Sequence, residues 1–119
     1  MDDEPGMRLL EQKWREYLER RGHRLNKRAP QPGTILFRNA KRKRYRWLLL
    51  IGDRHVRRLS GSEAAIVREH LWEARRKKEQ CYLVVGFLRE PRRIVVIPAA
   101  AALKSRCIRS DKGGIAWED

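Results

Sequence analysis

Nine lysines and arginines lie between Phe37 and Leu59: Arg38, Lys41, Arg42, Lys43, Arg44, Arg46, Arg54, Arg57 and Arg58. The chemistry open to them is the holding of phosphate. A guanidinium presents a planar fork of donors that matches phosphate oxygens and base edges, and an ammonium adds a point charge. Lys27 and Arg28 extend the set upstream. From Arg20 to Ser62 fourteen Lys and Arg face the single acid Asp53, a local excess of 13 in a chain whose net charge is +14. Charge concentrated in this way is the electrostatic footprint of a nucleic-acid binder, because each neutralised phosphate releases counterions. Of the 29 basic residues 21 are arginine. A GC-rich genome would raise arginine throughout a chain, but it explains the clustering poorly. An anionic membrane would also attract the charge, yet no amphipathic stretch carries the low-charge apolar face that inserts.

Other chemistries find less support. Cys81 and Cys107 stand alone, with no CxxC and no histidine pair beside them, and are expected to be reduced core thiols. His23, His55 and His70 are far apart in sequence. His70 falls near an apolar helical stripe and is expected to be packed and hydrogen-bonded; His55 sits in the basic stretch, where it could contact phosphate or act as a base. No Ser or Cys has a His/Asp set around it, so nucleophilic catalysis has no foundation. Gly113-Gly114 has no helix after it to cradle a phosphate. Phe37, Tyr45 and Trp47 alternate with Arg38, Arg44 and Arg46. Strand alternation puts Tyr45 and Trp47 on one face and Arg46 on the other. Trp47 is expected to be core beside Trp14, whereas Tyr45 could equally be core or a surface on which bases stack.

The elements that position these residues follow from periodicity. At 119 residues the chain is one domain, and its 41% hydrophobic residues cluster in runs. Residues 1–6 are expected to form a frayed acidic leader, 7–108 a single basic domain, and 109–119 a tail in which Trp117 packs. Met7, Leu10, Trp14, Tyr17 and Leu18 follow helical spacing to about Arg24. Asn26 to Gly33, with Pro30 and Pro32, reads as an irregular linker. Strands are expected at 34–37, 45–51 and 55–59, the first two pairing as a hairpin; the unbroken apolar half of the second predicts burial on both faces. Ser60-Gly61-Ser62-Glu63 is a capping box opening a helix to about Glu79, whose basic end Arg75-Arg76-Lys77-Lys78 suits the helix dipole. Cys81 to Leu88 and Arg93 to Ile97 form a second hairpin, and Pro98 can open a short helix to Ser105.

The predicted class is α/β (α+β): a small mixed sheet of about five strands flanked by two main helices, in the order αβββαββα. This layout resembles the PD-(D/E)XK nuclease superfamily. The resemblance is carried by the leading helix ending in Arg21-Gly22-His23-Arg24-Leu25, the sheet from Thr34 to Leu59, and the stretch from Leu59-Ser60-Gly61-Ser62-Glu63 through Cys81-Tyr82-Leu83-Val84-Val85-Gly86-Phe87. It covers roughly residues 7–98 and implies a restriction-endonuclease-like core. Active members hold Mg²⁺ with an Asp at one strand end and a Glu-x-Lys on the next, because Mg²⁺ takes hard oxygen ligands. That signature is absent: Asp53 is the only acid of the region, followed by His55-Val56-Arg57-Arg58. Under the resemblance an active Mg²⁺-dependent nuclease would have to use Asp53 with Glu63 or Glu11 as displaced ligands.

The sequence therefore favours binding over cutting. It points to a small basic module for DNA first and RNA second, with a nuclease-like core that has lost its ligands, working with protein partners in a larger nucleoprotein complex. The contacts would be Lys27, Arg28, Arg38, Lys41, Arg42, Lys43, Arg44, Arg46, Arg54, Arg57 and Arg58. A Mg²⁺-dependent nuclease and a ribonucleoprotein subunit are the alternatives. No metal ligand set and no cofactor are expected for the binding module. The location expected is cytoplasmic, at the nucleoid in a prokaryote, since neither a signal peptide nor a bilayer-length apolar run is visible.

Overall fold

The computed structural model describes residues 4–21, 24–28, 34–38, 43–52, 54–111 and 114–116, with side chains for 6–21, 43–52, 54–90 and 93–111. The elements are helix α1 (Glu4–Arg20), strands β1 (Arg24–Arg28), β2 (Thr34–Arg38), β3 (Arg44–Gly52) and β4 (Val56–Arg58), and helix α2 (Gly61–Arg76). Strands β5 (Glu79–Phe87) and β6 (Glu90–Pro98), helix α3 (Ala99–Ser105), and strands β7 (Cys107–Arg109) and β8 (Gly114–Ala116) complete the elements of the described residues. Six strands form one mixed sheet in the order β1-β2-β3-β5-β6-β8, and β4 pairs with β7 in a separate ribbon. Among the described strands of this sheet only β3 and β5 run parallel; β1–β2, β2–β3, β5–β6 and β6–β8 are antiparallel.

Three layers follow from strand alternation. Trp47 and Leu49 of β3, Val84 of β5 and Ile94 of β6 face α1, meeting Leu10, Trp14 and Leu18. Leu48, Leu83, Val85 and Val95 point the other way, onto Val67 and Ala74 of α2 and Ala99 and Ala102 of α3. The parallel pair is thus buried on both faces, which is why both strands read as continuous apolar runs. Trp47 is core, edge-to-face with Trp14 at a centroid distance of 5.1 Å. Tyr45 is half-buried and stacks on Trp47 at 5.4 Å.

The α+β class, the mixed sheet and the expected element order are present, with three additions. β1 occupies what reads as helix end and linker. β7 lies just past the expected short helix, across the start of the expected tail, and β8 lies within that tail. α1 begins at Glu4, inside the expected leader. Residues 55–59 were expected to add a third strand to the sheet, but β4 instead leaves it to pair with β7. Trp117 and His23 lie outside the described residues.

The close of β3 is tight. A Cβ on Gly52 would sit 2.8 Å from two ring carbons of Phe87 and 3.3 Å from Cβ of Arg57. Phe87 is only 2% exposed, so its ring has little room to yield. Gly52→Ala should therefore destabilise the fold by about 1–3 kcal/mol. Urea denaturation would show this as a lowered midpoint with an unchanged slope; an unchanged midpoint would mean the ring relaxes freely.

Candidate nucleic-acid interface

The basic residues that are neighbours in sequence do not form one patch. β3 carries nine residues, which at about 3.3 Å each separate its ends by roughly 26 Å. Lys43 and Arg44 stand at its start, while Arg54 and Arg58 lie beyond its finish. The apolar body of the strand is buried between them. Helix α2 starts beside the second group, at Ser60, and ends just before β5. Because β5 runs parallel to β3, with Arg44 opposite Glu79, the end of α2 is delivered to the start of β3.

Two basic stretches far apart in sequence therefore converge at one end of the sheet. Arg44 heads β3, and its backbone partners on the other side are Arg38 of β2 and, next in the row, Arg24 of β1. Three arginines thus occupy one row across three adjacent strands. Beside them come Arg75, Arg76, Lys77 and Lys78, all exposed. Glu73 partly compensates this helix end, pairing with Lys77 at 3.1 Å and Arg76 at 3.9 Å. The hydrogen bond from Lys77 is the main reason the Glu73 carboxyl sits below its ordinary pKa. Arg44, Arg75 and Lys78 make no ion pair with a described acid. The helix dipole favours cations at this end, but it gives no reason for the row of arginines. Lys78 has φ 56°, in the left-handed region normally given to glycine.

Arg46, expected to contact phosphate, does not belong to this surface. It is 6% exposed and points to the α2 side of the sheet. Its Nε donates to Glu79 Oε1 at 2.9 Å, and its Nη1 lies 3.1 Å from Nδ1 of His70. A guanidinium only donates, so Nδ1 is the acceptor and the ring proton is on Nε2. Burial, and then the Arg46 charge, hold His70 below its ordinary pKa. The neighbouring Cys81 thiol is pushed up to about 11 by burial, consistent with an inert core thiol. His70 is packed and hydrogen-bonded, as its place on the helix implied. Glu79 is the group that the sequence reading missed: it is 33 residues from Arg46, and only the parallel register brings the two together.

At the other end of β3, Arg57 is also turned inward. Its Nη1 donates to Glu63 Oε1 at 2.9 Å, its Nη2 pairs with Glu63 Oε2, and its Nε donates to the carbonyl of Ile51 at 2.8 Å. Glu63 completes the capping box, accepting from Ser60 N at 3.0 Å while its own amide donates to Ser60 Oγ at 3.1 Å. The Arg57 hydrogen bond is the largest cause holding the Glu63 carboxyl below the usual range. Both oxygens are engaged, by Arg57 and by the Ser60 amide, which gives Glu63 a complete structural role in the cap. Glu11 pairs with Arg15 at 2.9 Å on α1, across the sheet from α2, so Glu11 and Glu63 do not converge. Asp53 lies outside the described residues, and among those described no three His, Cys, Asp or Glu side chains are grouped to hold a metal. His55 pairs with Glu90.

Arg54 and Arg58 are exposed at this second end, beside the β4–β7 ribbon. Lys27 and Arg28 lie on β1, at the edge of the sheet, paired with Leu36 and Ile35. Charges on an edge strand also discourage pairing with another chain, which is a structural reason for them. Lys41 and Arg42 lie outside the described residues. No helix among the described residues is long and apolar enough to cross a membrane. No protein-family model matches the chain, and neither a curated protein nor a solved structure matches it.

Proposed function

We propose that the chain is a nucleic-acid-binding module for DNA or RNA, and that its phosphate surface is the sheet end formed by Arg24, Arg38, Arg44 and the tail of α2. The observation that carries this reading is the row of three arginines in direct register, flanked by a second basic cluster from a distant part of the chain. Like charges directly opposite one another across strands are destabilising. A surface that repeats them is favourable when a polyanion neutralises it. With β4 set aside in its ribbon with β7, the order of helix, three sheet strands, helix and sheet strand supports a nuclease-like core as the scaffold, by analogy of fold. The commitment of Glu63 to Arg57 and Ser60 supports binding without metal-dependent cleavage. A role within a nucleoprotein complex is in keeping with the size and charge of the chain.

Lys78 provides the test. A lysine in the left-handed region costs about 1 kcal/mol relative to glycine. Lys78→Gly should raise the melting temperature while weakening the binding of fluorescently labelled DNA and RNA measured by anisotropy. A variant that gains stability and keeps full affinity would remove Lys78 from the surface. Wild-type protein that binds neither polymer would end the proposal.

A further inference from the structure

Trp72 is the most exposed large apolar side chain among the described residues, at 64%. It lies on the outer face of α2, away from Ala64, Val67 and Ala74, which face the core. Helical spacing surrounds it with Arg68 at i−4, Glu69 at i−3, Arg75 at i+3 and Arg76 at i+4. The Arg76 guanidinium carbon sits 5.6 Å from the centre of the ring, in cation–π contact. Arg68 and Arg75 are exposed and form no ion pair with a described acid.

We infer that Trp72 is a stacking platform for an unpaired base, so that the preferred partner is single-stranded nucleic acid. This rests on the binding reading above and narrows its substrate class. An indole face accepts any base without regard to sequence, and arginines around it can hold the phosphates on either side of the stacked nucleotide. The charge complementarity is specific to a polyanion: three of the four helical neighbours are arginine. A duplex keeps its base faces stacked inside, so it could use the arginines but not the ring. The platform is on the last two turns of α2, whose end lies beside the start of β3 and its basic row.

The probes are a labelled oligothymidylate and a mixed-sequence duplex of the same length, each titrated with wild type, Trp72→Ala and Trp72→Phe. Loss of one stacked base should weaken oligothymidylate binding by roughly 5- to 100-fold in Trp72→Ala, leave duplex binding nearly unchanged, and be largely rescued in Trp72→Phe. Equal losses on both probes, or no loss on either, would overturn the stacking role while binding itself stands. Failure of the wild type to bind either probe would overturn both readings. If sedimentation shows that Trp72→Ala converts a dimer to a monomer, the ring covers a second copy of the chain and the inference falls. Because Trp72 is exposed, the alanine variant should melt as the wild type does, so a loss of affinity cannot be ascribed to unfolding.

Discussion

Arg46→Ala should destabilise the protein by about 3–5 kcal/mol, a large share of the stability of a domain of this size. The cost comes less from the lost attraction than from the charge left behind. Arg46 and Glu79 have side chains 7% and 10% exposed. Removing the guanidinium strands the Glu79 carboxylate and leaves Nδ1 of His70 without its donor. The double replacement Arg46→Met with Glu79→Met should recover most of the loss, since an apolar pair of similar volume avoids both desolvation costs. Chemical denaturation of the single and double variants separates the two cases. A double variant as unstable as the single would show that the pair itself, not the orphaned charge, matters.

The same cluster sets a pH dependence. His70 has a folded-state pKa below its unfolded value of about 6.5. Between the two values the unfolded chain binds the extra proton, so stability rises with pH there. The His70 contribution is fully present above about pH 6.5 and is lost as the pH falls through the folded pKa, where imidazolium would face the Arg46 guanidinium. His70→Asn should remove this part of the acid loss.

The second large effect is on binding. Reversing Arg44 and Lys78 to glutamate should lower affinity by about 100-fold, taking two charge-assisted contacts at about 1.5 kcal/mol each. The same reversal at Arg54 and Arg58, at the far end of β3, should cost much less. Both pairs contribute the same change in net charge, so long-range attraction alone would penalise them alike. An unequal loss locates the contact; equal losses would mean that the protein presents only a diffuse positive field.

Much of the scaffold was legible because it obeys simple patterns. Two-sided burial wrote β3 and β5 as unbroken apolar runs, and Ser60 with Glu63 announced the start of α2. β1 was not legible: Arg24-Leu25-Asn26-Lys27-Arg28 has neither alternation nor β-branched residues, as an edge strand can afford. β4 and β7 pair across about fifty residues, which local periodicity does not encode. The site was half legible. Arg44 was visible in the basic run, but Arg46 and Arg57 look identical to it in sequence and are consumed by Glu79 and Glu63. The basic tail of α2, explained at first by the helix dipole, joins the surface only through the parallel register of β3 and β5.

The central claim is that the described end of the sheet holds phosphates. Its most direct test is the salt dependence of nucleic-acid binding, measured for the wild type and for the protein with Arg44 and Lys78 both changed to glutamate. With about four phosphates neutralised, the logarithm of the wild-type association constant should fall against the logarithm of salt concentration with a slope of about −3 or steeper, and the variant should flatten that slope by about two. A wild-type slope near zero, or a slope unchanged by the two reversals, would contradict the account.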